Sequence, residues 1–232
     1  IDAAFIAAPT ADTHGNANGA HGSSACGHLG FALADSLYAD QVVIITDNLV
    51  PFPTMPWSIE GGNVDVVVPV DKIGDPEKIV SGTTRITTDP ERLKIASWAA
   101  QMVRDSGLMD EPGFSFQAGA GGMSLAFIEY MGGFMREKGV KAAFARGGST
   151  AGLVKMLNEG LVEYILDGQA FDLDGVKSLR DNVKHIATNP FVSYNYHTKG
   201  CFAPLVKTAV LGATEIDLNF NVNVNTHSDG WL

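Results

Sequence analysis

The chain has 232 residues, 45% hydrophobic and 18% charged, an ordinary composition for a folded protein with ample material for a core. Its net charge of −10 argues against nucleic acid and against an anionic membrane surface, and obliges any site for an anion to rely on helix N-termini and placed cations. The longest apolar run of strand character, 64–70, is far too short to cross a bilayer, and Cys26 and Cys201 lie outside any CxxC pattern, as reduced thiols of a cytosolic protein would.

Ile1-Asp2-Ala3 has neither an initiator Met nor a basic stretch, and reads as a cut end rather than a signal peptide. Strands are predicted at 3–8 and 41–46, with a Val-rich strand at 64–70. Between the first two, 26–39 has helical spacing at Leu29, Leu33, Ser36 and Leu37, and a Pro-broken loop covers 50–57. From Asp89 the pattern changes. Asp89 is a good N-cap with Pro90 behind it, and Leu93, Ala96, Ala99, Ala100 and Val103 share one apolar face before Gly107. Strand 114–117, helix 124–138, strand 141–145, helix 150–158, strand 162–166, helix 173–181 and strand 208–213 follow. The alternation predicts the α/β class, a mostly parallel sheet with helices on both faces.

An internal echo runs at an offset of 205. Residues 2–18 lie over 207–223, with identities at Ala4/Ala209, Ala8/Ala213, Asp12/Asp217, Asn16/Asn221 and Asn18/Asn223. It predicts parts of two equivalent lobes, 1–88 as the C-terminal part of the first and 89–232 as the N-terminal part of the second.

Ligands of such sheets bind at the carboxyl ends of the strands, where glycines admit close approach and helix N-termini offer N–H groups. Three turns are expected there, at 117–124, 146–150 and 167–172. The first reads Gly-x-Gly-Gly, which matches neither the dinucleotide fingerprint nor a nucleotide P-loop, and suits the carbonyl of a thioester as it becomes an oxyanion.

Five strings carry a resemblance: Gly15-Asn16-Ala17-Asn18-Gly19, Gly74-Asp75-Pro76-Glu77-Lys78-Ile79, Phe114 through Gly122, Asp167-Gly168-Gln169-Ala170-Phe171-Asp172, and Asp217 through Asn225. In content and order they resemble the citrate lyase alpha subunit family, whose longer chains have two lobes of CoA-transferase type with an open sheet. The resemblance implies that acetyl, held as a thioester on the phosphopantetheine arm of an acyl carrier protein (the gamma subunit), exchanges with citrate to give citryl-carrier and acetate. A beta lyase subunit then cleaves the citryl group. It further implies a cytoplasmic, oligomeric complex with no metal in this chain, no nucleic acid and no membrane.

On that reading Gly119, Gly121 and Gly122 are the leading oxyanion or carrier-arm contacts, with plain turn geometry as the alternative. Gly147, Gly148 and Ser149 come next. Arg85 and Arg146 are candidate carboxylate clamps, since guanidinium binds carboxylate through two parallel bonds. Asn221, Asn223 and Asn225 alternate along an expected strand, placed either to act on substrate or to satisfy a turn, with Asn16 and Asn18 as first-lobe counterparts. His14, His21 and His28 recur every seven residues in partly Gly-rich loop sequence, which does not align them for a metal. Related transferases use a glutamate nucleophile. The region aligned with it, 149–160, offers Lys155 at the nearest position and only Glu159 as an acid, which favours direct attack by the substrate carboxylate. A CoA-transferase for another short acid and a non-catalytic assembly fragment are the alternatives.

Overall fold

The computed structural model describes residues 1–79, 84–194 and 200–226. In chain order the first part comprises β1 (Ala3–Ala7), β2 (Thr10–Asp12), β3 (Ala17–Asn18), α1 (Ala32–Tyr38), β4 (Gln41–Thr46), β5 (Leu49–Val50) and β6 (Val66–Pro69). Strands β1, β4 and β6 form a parallel sheet in that order, and β3, β2 and β5 a second small one. Alternation in β1 and β4 turns Ala4, Ile6, Val42 and Ile44 inward, where they pack with Ala8, Ala11, Ala17 and Ile59. Helix α1 is shorter than the expected 26–39. Gly27 has φ +94, and a Cβ on Gly30 would lie 2.7 Å from the Thr188 carbonyl oxygen, so the chain cannot wind until it is past both.

The second part comprises α2 (Pro90–Asp105), β7 (Ser115–Ala118), α3 (Gly122–Lys138), β8 (Ala142–Ser149), α4 (Ala151–Asn158), β9 (Val162–Ala170), α5 (Leu173–Asp181), β10 (His185–Ala187), α6 (Pro190–Tyr194), β11 (Thr208–Val210), β12 (Glu215–Ile216) and β13 (Val222–Asn223). Five strands form one parallel sheet in the order β10-β9-β8-β7-β11. Asp89 caps α2 as expected, its Oδ1 accepting the Glu91 and Arg92 N–H groups at 2.9 and 3.4 Å. Phe114, Phe116, Phe127, Ile128, Met131, Met135, Leu153 and Ile165 fill the core between this sheet and helices α2 to α4.

Two expected turns prove to be strand. Strand β8 runs on through Arg146, Gly147, Gly148 and Ser149, and β9 through Asp167 to Ala170, because each pairs with the other as far as Ser149↔Ala170. Glycine does not end these strands. A bulge between Gly147 and Gly148 absorbs the φ of +111 at Gly147, and a Cβ on Gly148 would lie 1.6 Å from the Phe171 ring. The strand-to-helix connections that remain are Gly119–Gly121 before α3, Thr150 alone before α4, and Phe171 and Asp172 before α5.

The 205-residue echo extends to backbone pairing. In β2–β3, Thr10 faces Asn18 and Ala11 faces Ala17; in β12–β13, Glu215 faces Asn223 and Ile216 faces Val222. The turn chemistry repeats as well. Asp12 Oδ1 accepts the His14 and Asn16 N–H groups and Oδ2 the Asn16 amide. Asp217 Oδ1 likewise accepts Asn219 and Asn221 N–H, and Oδ2 the Asn221 amide. The surroundings differ. Over the first hairpin, Thr54 N–H donates to Asp12, Gly61 N–H to Asn16, and Ile59 bridges Ala17. The second stands in solvent, with Leu218 and Phe220 100% and 85% exposed.

Candidate functional site

Helices α3 and α4 begin at the carboxyl ends of β7 and β8, and in neither does the N-cap residue's own side chain bond to the helix, although Asp172 takes the Ala151 N–H of α4. Their first N–H groups have no carbonyl one turn back, so both helix ends present donors and positive dipole ends to the same edge of the sheet. A cavity of about 230 Å³ opens there. Thr84, Ile86 and Leu125 wall one part of it, and Thr150, Gly152, Lys155 and Asp172 another.

The sequence candidates distribute as follows. Gly121 occupies the N-cap position of α3 in extended conformation, with open space where a Cβ would stand. Gly122 accepts the Thr87 N–H at 3.1 Å, and a Cβ there would lie 2.7 Å from the Arg85 carbonyl oxygen, so this glycine seats the 85–87 segment on the helix end. That brings Arg85, exposed and without an ion pair among the described residues, beside the cavity. Gly119 donates to the Val210 carbonyl at 3.3 Å and packs against Ser124. Gly147 lies against Gln117 and the Ala118 carbonyl, at the same edge.

Ser149 is wholly buried. Its N–H and Oγ–H both donate to Asp167, at 3.1 and 2.9 Å, and Gln169 N–H adds a third donor at 3.0 Å. Ser149 therefore ties β8 to β9. Arg146 is 1% exposed and stacks 4.6 Å over the Tyr194 ring. Its Nε and Nη2, which share one edge of the guanidinium, find no acceptor among the described residues. Asn221 and Asn223 serve their own hairpin: Asn221 donates to Asp217 at 2.7 Å, and Asn223 accepts Thr226 N–H at 3.3 Å. Among the described residues, no hydrogen bond joins either side chain to the glycines at the helix ends.

The acids around the cavity are engaged. Asp172 Oδ2 accepts Ala151 N–H and Oδ1 accepts Gly175 N–H, at 2.7 and 2.8 Å. Glu129 lies 3.6 Å from Lys155, and Glu159 is held by Arg136 at 2.6 Å. Among the described residues, no group of three or more His, Cys, Asp or Glu is arranged to hold a metal ion.

A second cavity, of about 430 Å³, lies where the first part meets α5 and β10 and is lined by Asn18, His21, His28, Trp57, Arg180 and His185. His28 Nε2–H donates to the Thr188 carbonyl and Nδ1 lies 3.3 Å from Ser58 Oγ. Burial depresses the His28 pKa below 6.5, although the Thr188 carbonyl and Asp167 oppose the shift. His185 Nδ1 meets Ser178 Oγ at 2.9 Å, and its Nε2 approaches Asp167 Oδ2 at 3.2 Å in an alignment too poor for a hydrogen bond. Asn18, His21 and His28 stood out in the sequence, but nothing in it signalled that they meet Arg180 and His185, more than 150 residues on.

With this geometry in hand, comparison with known proteins is decisive. The sequence profile of the citrate lyase alpha subunit family (CitF) matches residues 1–232. The chain belongs to that family. It is 45% identical over 232 residues to the citrate lyase alpha chain of Escherichia coli K12, covering 100% of this chain and 45% of that one. A structure from Streptococcus mutans, assigned as the alpha subunit of citrate lyase and solved in complex with citrate, superposes with a TM-score of 0.92 at 48% identity, over 100% of this chain and 46% of that one. A 4-hydroxybutyrate CoA-transferase from Porphyromonas gingivalis shares the fold, with a TM-score of 0.51 at 15% identity over 82% of this chain and 45% of that one. The chain thus spans about half the length of the citrate lyase alpha chains it matches.

Proposed function

We propose that this chain exchanges acetyl for citryl on a carrier thioester, the first half-reaction of citrate lyase. The observation that carries the reading is a cavity beside two helix N-termini that keep free N–H groups, α4 giving only its Ala151 N–H to Asp172, and whose neighbouring carboxylates among the described residues are all occupied. Such a site stabilises an oxyanion, and among the described residues it holds no carboxylate ready to attack. A citrate carboxylate oxygen then adds to the thioester carbonyl, the C–S bond breaks, and the carrier thiolate leaves with its electron pair. The mixed anhydride accepts the thiolate at its citryl carbonyl, and acetate departs. Proximity of two anions on a preorganised donor edge supplies the acceleration.

On this reading the phosphopantetheine arm of an acyl carrier protein delivers the thioester, a lyase subunit consumes the citryl product, and the complex is an oligomer of the cytoplasm. Residues 1–88 and 89–232 belong to two equivalent lobes, Arg85 receives a substrate carboxylate, and the glycines at 119, 121 and 122 face the reacting carbonyl.

The test is transfer from acetyl thioester to citrate, set against acetoacetate and hydroxybutyrate, with hydroxylamine or borohydride trapping in parallel. Citrate is expected to be the preferred acceptor, with no glutamate of this chain labelled. A labelled glutamate overturns direct attack, and equal use of the other acids overturns the assignment to citrate.

A further inference from the structure

We propose that Thr150 and the N-terminus of α4 form a receptor for the carboxylate of a short acid the size of acetate. The inference rests on the acyl-exchange reading and names where the small acid is held. A Thr at an N-cap position ordinarily accepts an N–H from the second or third helical residue. Thr150 does not. The residue is 2% exposed, its Oγ1 has no partner among the described residues, and it lines the cavity of about 230 Å³.

A buried hydroxyl left without a partner costs free energy unless something else bonds to it. The N–H groups of Gly152 and Leu153 stand where the helix supplies no carbonyl. Asp172 takes only the Ala151 N–H at this end. One hydroxyl and two N–H groups therefore converge at the positive end of the helix dipole, the donor set that a carboxylate requires. Ile86 and Leu125 give the cavity an apolar side for a methyl group, and its charged neighbours among the described residues, Lys155 with Glu129 and the doubly bonded Asp172, leave no free carboxylate to compete.

Two variants of this chain, in the assembled enzyme with its carrier, test the receptor. Thr150→Val keeps the shape and removes the hydroxyl. Gly152→Ala adds a methyl that has room to fit, 3.4 Å from Ile128 Cγ2 and 3.9 Å from Thr150 Oγ1, and narrows the cavity. Acetate, measured calorimetrically and as an inhibitor against acetyl thioester, is expected to bind about tenfold or more weakly to each. The melting temperature of Thr150→Val should hold or rise, because no internal bond is lost. A fall in melting temperature alongside the loss of binding would show a structural hydroxyl and overturn the receptor, as would unchanged acetate affinity in both variants. If acetate binding depends on Thr150 but the wild type fails to exchange acetyl for citryl, the receptor stands and the exchange reading falls. Exchange at wild-type rates in both variants reverses that outcome.

Discussion

At the scale of single residues, the molecule uses one motif in two environments. Asp12 is fully buried and accepts four hydrogen bonds, the last from Thr54 across the fold. Burial pushes its carboxyl up, but those donors more than offset it and hold the pKa below the ordinary 3.8. Asp12→Ala is expected to cost about 3 kcal/mol in a urea titration. Asp217→Ala, with the same local bonds in solvent, should leave the midpoint almost where it was. Gly121 gives a cleaner test of the site. An alanine there meets nothing within 4 Å and keeps an allowed backbone, so folding should be unaffected. If the reacting carbonyl approaches this helix end, Gly121→Ala should lower kcat/KM for thioester transfer by about tenfold or more at unchanged melting temperature.

At the scale of elements, the sequence announced nearly every large helix and strand, because apolar periodicity and the Asp89-Pro90 start depend on near neighbours alone. The ends of β8 and β9 were not legible. Glycines and a polar Asp167 resemble a turn until one knows that β8 and β9 go on pairing with each other to Ser149 and Ala170, beyond the points where β7 and β10 stop. Gly148 is the sharpest case, since its role is to let the Phe171 ring lie against the strand. Gly148→Ala should destabilise by about 1–3 kcal/mol. Adding Phe171→Leu should recover at least about 1 kcal/mol, read as coupling in a double-mutant cycle. The candidate site was half legible. The Gly119–Gly122 turn and the start of α4 were visible, whereas Thr150 as a hydroxyl diverted from capping can be recognised only in three dimensions.

At the scale of the whole molecule, the junction between the first part and β10 sets a pH limit. His28 reaches Thr188 and Ser58 as a neutral ring, and its folded pKa lies below the ordinary 6.5. The unfolded chain therefore takes up a proton first as pH falls. The stability His28 provides is complete above pH 6.5 and is lost as the pH drops through its folded pKa. Melting temperature should decline on acidification from pH 7, and His28→Gln should flatten that slope. Asp12 follows the same rule lower down: its contribution is full above 3.8 and lost as pH falls through its folded value. No helix among the described residues is long and apolar enough to cross a membrane.

If Arg146 clamps a substrate carboxylate, the native state itself should respond to anions. A guanidinium buried under Tyr194, with one edge unanswered among the described residues, raises the energy of the fold, and the surrounding charge of −10 relieves it only at a distance. Arg146→Met should accordingly melt about 3 °C or more above the wild type in carboxylate-free buffer. Citrate should then close the gap by raising the wild-type transition alone, as linkage requires of a ligand that binds only the folded form. A thermal scan of both proteins with and without citrate reads this directly: equal shifts in the two would place the citrate elsewhere, and the missing shift in Arg146→Met would mark this arginine as its counter-ion.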